Sequence, residues 1–338
     1  MSALSVTKHT SRRALCAAWG LLASLWGLGA YAEDTPEMVL VAMHNATRTL
    51  NYDGVFVYHR ADQLGSMRLI HRYADEVETE RLISLSGPAH EVIRNGTLVT
   101  CLSADQHGDV SDKNPSRDII GIGFSAPVEK LRNSYTFTFD GKDRVAGRAA
   151  VVVAVNPLAP DRYAYRLWLD EQTRLLLRSA ILDLNGHPLE QVQFTQLDVR
   201  AEIPSELLKP DLAGSAFQWR TDVEGDNASV SAAPVTPTPP MWQASWLPRG
   251  FEFKETTIQP KSDLSAPSSH LVYSDGLSMV SVFVEAVSDE KHALRGESSR
   301  GAVNAFSRLD SKHQITVVGE VPLLTLKRIA ESVTRTSE

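Results

Sequence analysis

Residues 162–186 read RYAYRLWLDEQTRLLLRSAILDLNG. Tyr163, Tyr165, Leu167 and Leu169 recur at every second position, the period of a β-strand with one face on a core. Residues 175–184 form a second apolar run. Asn185-Gly186 follows it, and 189–199 runs back; this dipeptide supplies the positive φ angles that a two-residue hairpin requires. The stretch predicts three successive strands, the last two joined as a hairpin.

The same grammar extends upstream. Val145 and residues 151–155 flank a turn at Gly147, and Tyr135, Phe137 and Phe139 alternate with Thr136 and Thr138. Asn95-Gly96 separates 92–94 from 97–99. Met67, Leu69, His71 and Tyr73 alternate with Arg68, Ile70 and Arg72, and 55–58 reads VFVY. Strands in series with short turns and no helical spacers predict one large antiparallel sheet. The pattern breaks at 103–131, where polar, turn-rich residues 105–117 predict a surface loop and 128–131 a short helical piece. One helix precedes the strands. Thr35 can cap it, Pro36 suits its first turn, and Val39, Met43, Ala46 and Leu50 share one face.

Downstream, residues 218–241 are rich in Pro, Ser and Thr, with VEGDNASVSAAPVTPTPP at 223–240. This is the composition of a semi-extended linker. A smaller unit, 242–334, follows. Its signals are an entry turn at 246–251, strands around Asp275-Gly276, a strand at 315–318, and a closing helix opened by Pro322 with Leu323, Leu326, Ala330 and Val333 on one side. The expectation is a mainly β chain: a large antiparallel domain over 33–217 and a compact α+β domain after the linker.

Residues 1–32 have a different character. Lys8, Arg12 and Arg13 precede an uncharged stretch at 14–30, and Ala30-Tyr31-Ala32 gives a small-x-small site. This predicts a cleaved secretory signal peptide, since the apolar run is short for a membrane span. The chain has 338 residues, 34 Lys+Arg and 41 Asp+Glu. Cleavage removes three cations and no acid, so the net charge of -7 becomes -10. That balance argues against a nucleic-acid module. Two cysteines exclude a disulfide scaffold and a four-cysteine zinc site. Cys101, the one left after cleavage, reads as a small core residue.

No catalytic constellation emerges. GIGFSA at 121–126 matches a dinucleotide fingerprint, but it runs into Pro127 among antiparallel strands, the wrong context. No H-E-x-x-H, C-x-x-C or G-x-S-x-G occurs. His59 and His71 lie on adjacent predicted strands, where two half-exposed residues are expected rather than a metal pair. Glu78 and Glu80 share one strand side and read as a solvated face. The expectation is no enzyme, no metal and no cofactor. What remains is a binding architecture, a curved sheet holding an apolar ligand. Alternation nominates Phe56, Tyr58, Tyr73, Phe137, Phe139, Tyr165 and Leu167 as its lining.

The chain resembles the MucB/RseB family of periplasmic regulators. The resemblance rests on DGVFVYHR (53–60), IHRYADEVETERLISLSGPAHEVIRNG (70–96), RVAGRAAVVVAVNP (144–157), the opening stretch and EQVQFTQLDV (190–199). In the second unit it rests on WLPRGF (246–251), HLVYSDGLSMVSVFVE (270–285) and ITVVGEVPLLTLKRIAESV (315–333). The resemblance implies a large domain like the half-open barrel of the lipoprotein carriers LolA and LolB. It implies binding to the periplasmic domain of a single-pass inner-membrane anti-sigma factor of RseA/MucA type. That binding shields the partner from site-one proteolysis and keeps a sigma-E/AlgU-type sigma factor sequestered, until lipid or lipopolysaccharide releases it. For such a lipid, Arg68, Arg72 and Arg94 are candidates to meet the phosphates at the cavity mouth. A homo-oligomer is compatible with this, and nucleic acid is not expected. The linker and the 103–134 segment depart from the family pattern, and a second mature cysteine carried by some relatives is missing. The alternative reading is a periplasmic lipid or lipoprotein carrier.

Overall fold

The computed structural model describes residues 34–103, 127–212, 215–220, 241–259, 268–287 and 294–336. The expected signal peptide, the GIGFSA motif and most of the linker lie outside the described residues.

Helix α1 (Pro36–Thr49) forms where its cap signals place it. The Thr35 hydroxyl accepts the Met38 amide at 3.3 Å, Pro36 starts the first turn, and Leu50 ends the helix in extended backbone. Val39, Leu40, Met43 and Ala46 are buried. At roughly 1.5–3 kcal/mol for each large apolar side chain, this face contributes on the order of 5–8 kcal/mol.

Eleven strands follow in one antiparallel sheet. They are β1 (Asn51–Arg60), β2 (Gln63–Ala74), β3 (Val77–Ser84), β4 (His90–Asn95), β5 (Leu98–Ser103), β6 (Tyr135–Val145), β7 (Arg148–Pro157), β8 (Ala164–Asp170), β9 (Leu176–Leu182), β10 (Pro188–Arg200) and β11 (Ser215–Arg220). The order is β11-β5-β4-β3-β2-β1-β10-β9-β8-β7-β6. Two hairpin ladders therefore meet where β1 pairs with β10, Phe56 opposite Phe194. The sheet does not close, because β11 and β6 end it without pairing to each other. The short helix α2 (Val128–Leu131) stands where the sequence predicts it, ahead of β6.

Ladder register defines the face that α1 covers, called here the inner face. Tyr52 pairs with His71, Phe56 with Met67, Val192 with Ser179, Leu167 with Val153 and Tyr165 with Val155, so these side chains share it. α1 packs Val39, Leu40 and Met43 on Val153, Tyr165 and Leu167, and Ala46 on the Tyr52–Phe56 side. On the opposite, outer face, Ile70 and Ile83 are covered by Ile203 and by Leu207 and Leu208 of a 3₁₀ turn (Ser205–Leu208).

The second sheet has six strands: β13 (Glu252–Gln259), β14 (Ser268–Ser274), β15 (Met279–Ala286), β16 (Gly296–Arg300), β17 (Val303–Asp310) and β18 (His313–Gly319), ordered β13-β14-β15-β18-β17-β16. Helix α3 (Leu323–Ser332) buries Leu326, Ile329 and Ala330 against Val280, Val282, Ile315 and Val317. A ribbon of β12 (Trp242–Ala244) and β19 (Val333–Arg335) ties the start of this unit to its end. β11, β13, β16, β17 and the β12–β19 ribbon were not read from the sequence. β16 is polar and exposed, and β11 and the ribbon pair with partners far away in the chain, with no turn signal between.

Candidate functional site

All seven nominated lining positions fall on the inner face by register. The structure groups them unequally. Tyr165, Leu167 and Phe137 pack together beneath α1, and Phe56 and Tyr58 pack with Tyr52 and Phe194. Tyr73 and Phe139 lie apart, 37% and 43% exposed. Between α1 and the sheet a cavity of about 10 Å3 is lined by Thr47, Tyr52, Leu175, Leu176, Phe194 and Leu197. It has room for at most about one water. Beneath α1, Tyr165 and Leu167 are only 2% and 0% exposed.

The three cation candidates do not act together. Arg68 and Arg72 occupy alternate positions on β2 and sit on the outer face. Arg68 grips Asp53 with two hydrogen bonds, at 2.9 and 2.7 Å, and that grip raises its own pKa. Arg94 is on the inner face, buried against Glu80.

Here the solvated-face reading of Glu78 and Glu80 is corrected. Glu80 is buried, and Glu78 is half-buried beside a fully buried His71. His71 stacks on Tyr52, with ring centroids 4.7 Å apart. Its Nδ1 faces the Leu50 carbonyl at 2.7 Å and its Nε2 faces Glu78 at 3.4 Å. Ligand atoms of His71, Glu78 and Glu80 lie within 4.8 Å of one another. Each carboxylate already faces a guanidinium, Arg94 for Glu80 and Arg48, at 3.8 Å, for Glu78. That is the chemistry of an ion-pair network under the end of α1. His59 is exposed further along β1, opposite Leu64, away from His71.

The most elaborate polar site lies where the two sheets meet. The β14–β15 turn carries Asp275 and Ser278, both buried. One Asp275 oxygen accepts the amides of Leu277 and Ser278 at 2.9 and 2.7 Å, which shapes the turn. The other accepts Arg162 Nη1 at 2.6 Å and the Tyr135 hydroxyl at 3.0 Å, both from the large-sheet side. Arg162 is itself buried. Its Nε donates to Asp161 at 2.8 Å, its Nη2 donates to the Arg249 carbonyl at 2.7 Å, and its guanidinium lies 5.4 and 5.3 Å from the Tyr135 and Phe251 ring centroids. The Tyr165 hydroxyl meets Ser278 Oγ at 3.1 Å. Burial raises the pKa values of the Tyr135 and Tyr165 phenols, so both stay neutral.

Around this centre, Asn304 donates to the Tyr163 hydroxyl at 2.8 Å, and the Thr325 hydroxyl donates to the Asp161 carbonyl at 3.0 Å. The Ala302 amide donates to Glu190 at 3.0 Å. Two glycines permit the approach. Gly250 and Gly301 have φ +89° and +61°, and a Cβ on either would fall 2.2 Å from Ser134 Oγ or 2.6 Å from Glu190 Oε1. Leu277 and Ala302 complete the apolar cluster on Tyr165 and Leu167. The small unit thus sits on the β6–β8 end of the inner face. Sequence reasoning missed this site. Its residues are scattered singly over more than a hundred positions, and only the Asp275-Gly276 turn announces itself locally.

The chain is thus a two-sheet architecture with a covered apolar face and a polar seal between its two units. Comparison with known proteins places it: residues 35–212 match the MucB/RseB N-terminal domain and residues 236–334 the MucB/RseB C-terminal domain. The chain belongs to the MucB/RseB family. It is 32% identical over 317 residues to the sigma factor AlgU regulatory protein MucB of Pseudomonas aeruginosa, covering 93% of this chain and 95% of that one. It is 27% identical over 310 residues to the sigma-E factor regulatory protein RseB of Escherichia coli, covering 91% and 93%. Among solved structures, MucB in complex with MucA(peri) matches with a TM-score of 0.70 and 28% identity, over 90% of this chain and all of that one. The relatives are regulatory proteins, and MucB binds MucA.

Proposed function

We propose that this chain is a non-enzymatic periplasmic regulator, exported by a signal peptide over 1–32. It binds the periplasmic domain of an inner-membrane anti-sigma factor, shields that partner from site-one proteolysis, and lets go when lipid or lipopolysaccharide binds. The observation that carries the reading is the match of both domains, in order and over nearly their full length, to a protein solved in complex with MucA(peri). The inner face supports the lipid part. Phe56, Tyr58, Phe137, Tyr165 and Leu167 give it an apolar aromatic surface, with Tyr73 and Phe139 at its exposed margins. Arg94 is the one nominated cation on that face.

The test is cleavage of the purified periplasmic segment of the host's anti-sigma factor by the site-one protease. Mature chain in excess is expected to slow cleavage at least tenfold, and lipopolysaccharide to restore it. Cleavage at the same rate with and without the chain would contradict the reading and favour the carrier alternative.

A further inference from the structure

At its β6–β8 end the inner face is covered, with Tyr165 and Leu167 only 2% and 0% exposed, so an apolar chain can settle there only if something leaves. Among the described residues, helix α1, the short helix α2 and the 275–278 turn cover it. Helix α1 is continuous with β1 through Leu50 and grips the face with buried apolar side chains. Removing it would expose those side chains to water. The 275–278 turn is held chiefly by hydrogen bonds and one ion pair to Tyr135, Arg162 and Tyr165. Water replaces such contacts once the groups separate, because the cost of burying a charged pair is returned on exposure. The two sheets are joined in sequence only through residues 221–240, so the turn can depart with both sheets intact.

We propose that the 275–278 turn is a plug, latched by Arg162, that competes with an acyl chain for the β6–β8 end of the inner face. The proposal rests on the lipid reading above and specifies its regulation. When the turn leaves, Tyr165, Leu167 and Phe137 lose Leu277 and Ala302 as neighbours and become the surface on which the chain lies. Ligand and interdomain contact are then mutually exclusive, and linkage makes the effect reciprocal: weakening the latch strengthens ligand binding by the same factor.

The experiment compares the full mature chain with Arg162→Gln, using a monomeric dansyl-labelled fatty acid as the probe. X-ray scattering reports domain separation. Arg162→Gln is expected to have a larger radius of gyration and to bind the probe about tenfold more tightly. An opened variant with unchanged affinity overturns the plug and leaves the lipid reading standing. A probe that binds neither protein overturns the lipid reading and the plug with it. Should Arg162→Gln not fold, hydrogen exchange on the unmodified chain decides. The Ala302 amide donates across the interface to Glu190. Saturating probe is expected to speed its exchange at least tenfold, and unchanged exchange at saturation overturns the plug.

Discussion

Arg162 and Asp275 stand 113 residues apart in sequence, yet their side chains meet at 2.6 Å with exposures of 2% and 0%. The pair is the centre of the contact between the two sheets. Removing one member of such a pair strands the other charge away from water, which costs roughly 3–5 kcal/mol. Asp275→Leu is therefore expected to lower the urea midpoint by up to that equivalent, the loss being capped by separation of the two units, whereas the paired Arg162→Met, Asp275→Leu change is expected to cost far less. A double-mutant cycle checks this, and additive losses would show the pair to be energetically independent.

Leu40 is fully buried between α1 and the sheet. Leu40→Ala removes that contact and leaves a cavity, for an expected loss of about 2–5 kcal/mol in denaturant unfolding. Leu64→Ala, at a position 74% exposed on β2, is expected to change stability by less than about 0.5 kcal/mol.

Much of this fold was legible. Asn95-Gly96, Asn185-Gly186 and Asp275-Gly276 each mark a hairpin, because their chemistry is local. Alternation also sorted Phe56, Tyr73 and Tyr165 onto one face, since the period of two survives any curvature. Alternation does not say what lies above a face. Tyr165, nominated as a lining residue, carries Ser278 at its hydroxyl, and Arg94, nominated for the mouth, is buried on Glu80. Pairings such as β1 with β10 depend on chain closure over more than a hundred residues, which no local pattern records.

Asp170 carries a pH prediction. Burial pushes its carboxyl up, but the Arg148 ion pair at 2.6 Å and hydrogen bonds from Thr173 outweigh this, and its pKa is lowered. A carboxyl more acidic when folded than unfolded stabilises the protein at neutral pH. That contribution is fully present above the usual carboxylate range and fades as pH falls through the folded pKa. The midpoint of unfolding should fall between about pH 5 and pH 2. The fall should be smaller in Arg148→Met, and an identical profile in that variant would count against the assignment.

Cys101 is half-buried against the large-sheet core, and burial pushes its thiol up. Little thiolate forms at neutral pH, so the group is a poor nucleophile. Its reaction with iodoacetamide at pH 7.5 should run at least tenfold slower in the folded protein than in urea. Equal rates would show that the thiol is open to solvent.

Recognition of the anti-sigma factor is measured by calorimetry. Mature chain is titrated with the periplasmic segment of the host's anti-sigma factor, with and without lipopolysaccharide. The account predicts micromolar or tighter binding that lipopolysaccharide weakens at least tenfold. A folded chain that shows no heat of binding to the segment would contradict it.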